Sequence, residues 1–496
     1  MSSPFDEAKY NALLKGLEVS EVRFSDLKAE NRTFRIDSNF FSREILELDE
    51  NIKSRKHFYI PKNRIVSGPF GSSLTSEAYL SQGGVPFIRI ENIKQGFSIS
   101  RENMIYISES DNARLKSSQL KLDDLILSKV GNTIGFYARV DEEIKNCNIS
   151  ENNIGIKLDD FSIEQKHYIL TYMNSKIGYA LTYRRISGNA QPKLNVFDIS
   201  EIPIPEMSEK FMKNISSMIC KSKAKLTESK ALYKQAEDTL LSELDLKNWQ
   251  PKNETVSIKK FSNFDETGRL DAEYYQLKYD EIQQKLSTYN TTTIPSQYDI
   301  FKNSGTNYSD GISDVGVVKT KQLTNAGIDL DGVESYFDES TCFYNNSTFI
   351  QNSDVIFASM GVGSLGKASV FTSDTETRYV TDSTLRIFRA KDNAKVLPEV
   401  LCIFLQSAIG QEIIYRYVVG STGIINIYDT DIAKIPIPIL DNDTQKEIAL
   451  KVQKAFAYRH KSKELLEHAK QAVERAIEQG EDVALEWLET RYKDGY

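Results

Sequence analysis

Two stretches of the chain carry apolar or small residues at alternating three- and four-residue spacing. The first is Ile215, Ile219, Ser222, Leu226, Ser229, Tyr233, Ala236 and Leu240. The second is Ile448, Val452, Ala455, Arg459, Ser462, Leu466, Ala469 and Val473, each 233 positions later. Residues three and four apart share one face of an α-helix, and alternation of the two spacings is the seam of a coiled coil. No Gly or Pro falls between Ser208 and Lys247 or between Thr444 and Gln479. The spacing therefore predicts two helices of about 40 residues, each ~60 Å long at 1.5 Å per residue. Ser222, Ser229, Arg459 and Ser462 make the seam partly polar. A partner helix is expected to help cover it, with Ile215, Ile219, Leu226, Tyr233, Leu240, Ile448, Val452, Leu466 and Val473 at a subunit interface.

Outside these helices the pattern is short and β-branched. Val85–Ile93, Asp124–Val130 and Asn153–Leu158 read as strands bounded by Gly, Asn and Ser, as do Val315–Leu323, Asp354–Met360 and Ser383–Phe388. Helices are predicted over 163–183 and 398–417. The fold class is α+β. The loops around Gly68–Ser73, Gly131–Gly135 and Ser187–Asn189 belong on the surface, where binding residues concentrate.

The two halves repeat each other. Asp124–Gly131 returns as Asp354–Gly361, Arg35–Phe41 as Arg269–Tyr275, Asn174–Gly178 as Gln406–Gly410, and Ile202-Pro203-Ile204-Pro205 as Ile435-Pro436-Ile437-Pro438. Offsets of 230 to 234 residues are far too long for a solenoid and fit two whole domains, each followed by its own long helix. Leu13–Val19 also resembles Leu240–Leu246. The expected layout is an N-terminal helix segment at 1–19 that completes the distal helix, a domain at 20–205, a spacer helix at 206–250, a domain at 258–438 and a second spacer helix at 441–490. A chain built this way suits a two-part target with pseudo-two-fold symmetry, of which duplex DNA is the obvious case.

Composition changes this picture little. The 496 residues are 40% hydrophobic and 27% charged, ordinary for a soluble protein of two or more domains. The four cysteines (Cys147, Cys220, Cys342, Cys402) form no CxxC pair, so a zinc ribbon and a disulfide framework are not expected, and no metal site is. No apolar run approaches ~18 residues, so no membrane span is expected, and the N-terminus lacks a signal-peptide pattern. The net charge is −8, with −1 in residues 1–207, +2 in 208–257, −7 in 258–440 and −2 in 441–496. Phosphate attraction must then come from local clusters of cations rather than from a basic arm.

Catalytic signatures are missing. Gly361-Val362-Gly363-Ser364-Leu365-Gly366-Lys367 fits GxxxxGK after a strand, but Ala368 stands where a phosphate loop needs Ser or Thr, and Ala368–Phe371 reads as strand. The sequence contains no adenine-methyltransferase Asn/Asp-Pro-Pro-Tyr/Phe motif, no HExxH and no GxSxG. The chain is expected to bind rather than to catalyse.

The Gly68–Leu74 stretch followed by Gly84–Arg89, the Asp124–Gly131 strand, the run Gly188 to Asn195 with its Gln191-Pro192-Lys193-Leu194, the Ile-Pro-Ile-Pro that follows, and Gln445 early in the second helix together resemble a specificity subunit of a type I restriction-modification system. The resemblance spans nearly the whole chain. The second half departs from it at Ser421–Asn426, which lacks the Gln-Pro pair, and near Asn303–Gly311, where no Gly-Pro-Phe-Gly is found. The resemblance implies two target recognition domains separated by two antiparallel helices that act as a ruler. It implies that each domain reads one half of a split site in double-stranded DNA. Two methyltransferase subunits, which bind S-adenosylmethionine and methylate adenine N6, and possibly restriction and translocase subunits, are the implied partners. The chain itself is expected to hold no cofactor and to work in a bacterial or archaeal cytoplasm.

Base reading needs forked donors and acceptors, such as Arg for guanine and Asn or Gln for adenine. In the first half Arg89, Asn92, Asn132, Arg184, Arg185, Asn189 and Gln191 are candidates. In the second, Lys319, Lys321, Gln322, Thr381, Ser383, Arg416, Thr422, Asn426 and Tyr428 are. Lys129, Lys193 and Lys367 suit phosphates, and the loops add Ser72, Ser73, Thr133 and Ser364. The recurring pairs Arg35–Asp37 and Arg269–Asp271 read as ion pairs internal to each domain. Rival readings are a DNA-recognition factor of a different methylation-associated phage-defence complex, an ATP-dependent helper using the Gly361 loop, and a scaffold with no nucleic-acid role.

Overall fold

The computed structural model describes residues 6–15, 22–25, 27, 35–94, 96–188, 191–252, 254, 256–303, 315–324, 327–330, 332–337, 348–373, 375–420 and 425–492. The chain forms two compact units. One comprises Met1–Ala224 with Lys461–Tyr496, the other Lys225–His460. The division falls inside the two long helices, α1 (Glu209–Glu243) and α2 (Asn442–Gln479). Each helix therefore serves one unit with its first part and the other with its second.

The units share a topology. In the first unit a four-stranded antiparallel sheet has the order Ile65–Ser67, Asn153–Ile156, Leu125–Ser128, Tyr137–Arg139. In the second, Tyr298–Phe301, Leu385–Ala390, Val355–Ala358 and Ala368–Val370 take the same order. A second sheet places Val85–Ile88 antiparallel to Ile105–Ile107 and parallel to Asn146–Ile149. Its counterpart places Val315–Val318 antiparallel to Tyr336–Phe337 and parallel to Arg378–Thr381. The Ile-Pro-Ile-Pro segment closes each domain by pairing with an early strand, Ile204–Pro205 with His57–Phe58 and Pro436–Pro438 with Thr291–Thr293. These short two-stranded pairings tolerate the missing proline N–H.

Four predicted elements change, two strands and two helices. The strands expected over Val85–Ile93 and Val315–Leu323 stop at Ile88 and Val318 and turn sharply. The helices expected over 163–183 and 398–417 are each two helices, Ile163–Met173 with Lys176–Arg184 and Pro398–Gln406 with Ala408–Arg416. A serine makes each break. Ser175 Oγ donates to Tyr172 O (2.6 Å) and accepts from Gly178 N (3.2 Å). Ser407 Oγ donates to Phe404 O (2.7 Å) and accepts from Gly410 N (3.1 Å). The corner is so tight that a Cβ on Gly178 would lie 2.0 Å from Tyr172 O, and one on Gly410 1.9 Å from Phe404 O.

The core of the first unit takes Phe211, Ile215 and Met218 from α1, and Leu465, Ala469, Val473 and Ile477 from α2. That of the second takes Ala236, Leu240 and Leu244 from α1 with its extension, and Ile448 and Val452 from α2. The helices thus run antiparallel within each unit. Serines let them approach closely. Ser222 Oγ donates to Ser462 O (2.9 Å) in one unit and Ser229 Oγ to Ala455 O (2.7 Å) in the other.

Six of the nine seam residues are taken up by the chain's own cores rather than left for a subunit interface. Ile215, Ile219, Leu240, Ile448, Val452 and Val473 are buried in the chain's own cores. Leu226 is half-buried, Tyr233 stacks on Phe456 at 6.4 Å, and Leu466 packs on the first core. The N-terminal helix Glu7–Leu14 buries none of its described side chains, and Leu13 is 69% exposed. A C-terminal helix, α3 (Glu481–Arg491), closes the first core instead through Ala484, Leu485 and Leu488.

The corner glycines yield a paired prediction. Gly178→Ala and Gly410→Ala each force a methyl into backbone, and each should lower the stability of its own unit by about 1–3 kcal/mol. Hydrogen exchange followed by mass spectrometry should show faster exchange confined to residues 163–184 or to 398–416.

Candidate nucleic-acid interface

In the first unit, the short segment Ser150–Asn152 ties together loops that are far apart in sequence. The Gly68–Ser73 loop packs on it so closely that a Cβ at Gly68 would lie 1.9 Å from Ser150 O. Gly71 N donates to Glu151 Oε2 (2.6 Å). Lys129 N donates to Asn152 O (2.9 Å), and Lys129 Nζ to Glu151 O (2.9 Å). Leu194 N donates in turn to Lys129 O (3.0 Å), and Ser187 and Lys193 exchange backbone hydrogen bonds (3.0 and 2.9 Å). The hairpin that carries Asn132 begins at Gly131, whose Cβ position lies 3.5 Å from Ile90 Cδ1. Ser72, Ser73, Asn132, Gln191 and Lys193 are exposed on these loops. Thr133 is half-buried and donates to Ser128 Oγ (2.9 Å). Burial holds Lys129 below its ordinary pKa, opposed by Glu151 and reinforced by neighbouring Lys193. Two cations pushed together at a loop cluster favour an anionic guest.

The second unit rebuilds the arrangement. Gly361 N donates to Ile425 O (3.0 Å), Ile427 N to Ser359 O (2.9 Å), Ser359 N to Thr384 O (3.0 Å) and Asp382 N to Val318 O (3.1 Å). Lys319, Ser364, Lys367, Ser383, Asn426 and Tyr428 therefore sit on neighbouring strand ends, with Tyr428 54% exposed. Val419 and Asn426 exchange the backbone bonds that Ser187 and Lys193 exchange in the first unit. Asn426 Oδ1 is buried without a partner among the described residues. The Gly361–Lys367 loop joins two antiparallel strands, Val355–Ala358 and Ala368–Val370. A phosphate-binding loop must open a helix, so this one is a hairpin, the counterpart of Gly131–Gly135.

Several candidate readers turn out to be structural. Asn92 is fully buried; its Oδ1 accepts from Arg89 N (3.0 Å), and its Nδ2 donates to Ser100 O and Glu102 O (both 3.1 Å). Gln322 does the same work 230 positions later, accepting from Lys319 N (3.0 Å) and donating to Gly332 O (2.6 Å). Thr381 is buried against Asn303. Arg184 forms a buried pair with Asp49 (2.8 Å) and donates to Phe40 O (2.8 Å). Arg185 pairs with Glu201. Arg416 donates to Gln283 (3.0 Å) and lies over Tyr274. All six are buried or half-buried and spend polar atoms on partners within their own unit, which leaves them less free for a ligand than the exposed loop residues. Arg89 and Lys321 are partly exposed but paired with Glu91 and Glu334, and Lys319 Nζ donates to Ser335 Oγ (2.7 Å). Asn189 and Thr422 lie outside the described residues.

The Arg–Asp pairs behave as read. Arg35 pairs with Asp37 (2.7 Å) and donates to Arg184 O (2.8 Å); Arg269 pairs with Asp271 (2.6 Å) and donates to Val418 O (2.9 Å). The hydrogen bond from each arginine holds its carboxyl below the usual range. Glu151, Tyr79 and Phe70 escaped the residue-type reasoning, which looked for cations and amides. Only the glycines around Phe70 signalled an unusual loop.

Residues 283–470 match the family described as the type I restriction modification DNA specificity domain. The matched segment lies in the second domain and the helix that follows it, so that part of the chain carries a domain of this family. The first unit has the same sheet order, serine–glycine corner and Arg–Asp clamp, so the two units share one fold. The match is to a DNA specificity domain, the part of such systems that recognises DNA. No curated protein matches the chain. Solved structures with a similar chain path include a type I restriction-modification S subunit from M. genitalium (11% identity, 85% of this chain and 94% of that one, TM-score 0.38). The HsdS subunit from Thermoanaerobacter tengcongensis is another (11% identity, 81% and 92%, TM-score 0.26). These likenesses are too distant to add to the assignment.

Arg184→Ala leaves buried Asp49 with Lys53 (2.9 Å) as its remaining cation and should cost about 1.5–3 kcal/mol of stability. Asn132→Ala, on an exposed loop, should stay within about 0.5 kcal/mol. Denaturant titration of the two variants checks the contrast.

Proposed function

We propose that the chain reads a double-stranded DNA site in two parts, one by each domain, and seats two methyltransferase subunits on it. Those subunits supply S-adenosylmethionine and methylate adenine N6; restriction and translocase subunits join the same assembly. The observation that supports this reading is the duplication itself. One domain of the specificity family is followed and preceded by the same elements in the same order, and each copy gathers cations and amides on one group of loops. Lys129, Asn132, Gln191 and Lys193 serve the first half-site, and Lys319, Ser364, Lys367, Ser383, Asn426 and Tyr428 the second. With a net charge of −8, affinity comes from these local clusters and from the partners. The setting is the bacterial or archaeal cytoplasm, where the DNA target lies. No helix among the described residues is long and apolar enough to cross a membrane.

Replacing residues 20–205 with the corresponding domain of another specificity subunit should change one half of the methylated sequence and leave the other intact. A change in both halves, or in neither, contradicts modular reading. Lys193→Ala should weaken binding of the assembled complex to all sites alike. If Lys193 neutralises one phosphate, the slope of log affinity against log salt should fall by about 0.9.

A further inference from the structure

The first unit holds a cavity of about 360 Å³ beside the loop cluster. Phe70, Tyr79 and Phe87 give it aromatic walls, and Arg89, Glu91 and Glu151 give it polar ones. Phe70 is 82% exposed on a loop tied down on both sides of it. Gly68 is wedged against Ser150, Pro69 fixes the backbone between them, and Gly71 N is bonded to Glu151. An aromatic ring held in solvent by a fastened loop contributes nothing to the core and is placed for a guest. Behind it, Tyr79 lies 5.7 Å from the buried Phe87, the two rings inclined at 36°. Arg89 spends its Nη2 on Asn103 O (3.0 Å) and Glu91, while its Nε is buried with no partner among the described residues. Glu151 holds Gly71 N through Oε2, and no described group donates to Oε1. An acceptor, Glu151 Oε1, thus remains unclaimed on a pocket with aromatic walls, with the Arg89 guanidinium behind it. Such a site recognises a flat heterocycle carrying an exocyclic amine. Glu151 and Lys129 join directly (2.9 Å), so the cavity opens next to the cations proposed to hold DNA phosphates.

We infer that this cavity takes one nucleobase, unstacked from the duplex read by the first domain, with Phe70 stacking on it. The inference rests on the reading of the chain as a DNA-specificity subunit. Unpairing a base is cheapest where it is already mismatched, whereas a mismatch at a position read within the duplex weakens binding. The experiment uses the complete complex with its methyltransferase subunits. Duplexes carry a mismatch, made on the complementary strand, at each position of the first half-site in turn, leaving out the adenine that is methylated. One position should bind several-fold tighter when mismatched, and the gain should vanish in Phe70→Ala and persist in Phe70→Trp. Because Phe70 is exposed, neither variant disturbs the core. If the wild-type complex binds its site specifically and every mismatch weakens binding, the pocket is not a base site. If the gain survives Phe70→Ala, the same conclusion follows. If the wild-type complex shows no sequence-specific binding at all, the specificity reading itself fails and the inference falls with it.

Discussion

Each globular core in this chain is completed by side chains from distant parts of the sequence. The first unit needs Leu465, Ala469, Val473 and Leu488, more than 250 residues beyond its last strand at Ile204–Pro205. The second needs Ala236 and Leu240, which precede its first strand at Thr291. Burying an aliphatic side chain contributes about 1.5–3 kcal/mol, so neither core is whole until both long helices are in place. Closing so long a loop costs entropy that grows only slowly with length, and the many buried contacts offset it. Every other feature of the molecule depends on this closure, because the sheets that carry the loops rest on those cores.

The seam between the helices shows how closure is made specific. A uniformly apolar stripe slides; a hydroxyl facing a carbonyl does not. Ser222 opposite Ser462, and Ser229 opposite Ala455, satisfy buried polar groups only in one register. The two pairs exchange under the 233-residue offset: Ser222 corresponds to Ala455 and Ser229 to Ser462. The loops then follow. In both units a hairpin after the central strand, a tip before the Ile-Pro-Ile-Pro strand and the end of a parallel strand meet at one place, and that place carries the cations and amides.

The duplication, the strands and both long helices were legible because periodicity and repetition are properties of the chain itself. The helix break at Ser175 was not, since a serine inside an apolar run looks like a tolerated polar residue until its hydroxyl is seen capping the next helix. The candidate readers divided for a similar reason. Asn92 and Asn132 are the same residue type on nearby loops, yet one clamps a turn from inside and the other faces solvent. An amide that can fork onto adenine can equally fork onto two backbone carbonyls. Arginines at helix ends, such as Arg184 and Arg416, were drawn inward by carboxylates and aromatic rings that sequence spacing does not reveal. The Phe70 pocket is built from aromatic rings, which carry no hydrogen-bonding signature in the sequence.

The central claim is that one reader domain, present twice, specifies one bipartite site. Single-molecule mapping of methylated adenines in cells that carry this chain with its methyltransferase tests it directly. The account predicts two defined half-sites separated by a gap of fixed length and free sequence. A single uninterrupted motif, or adenine methylation whose sequence is unchanged when this chain is deleted, contradicts it.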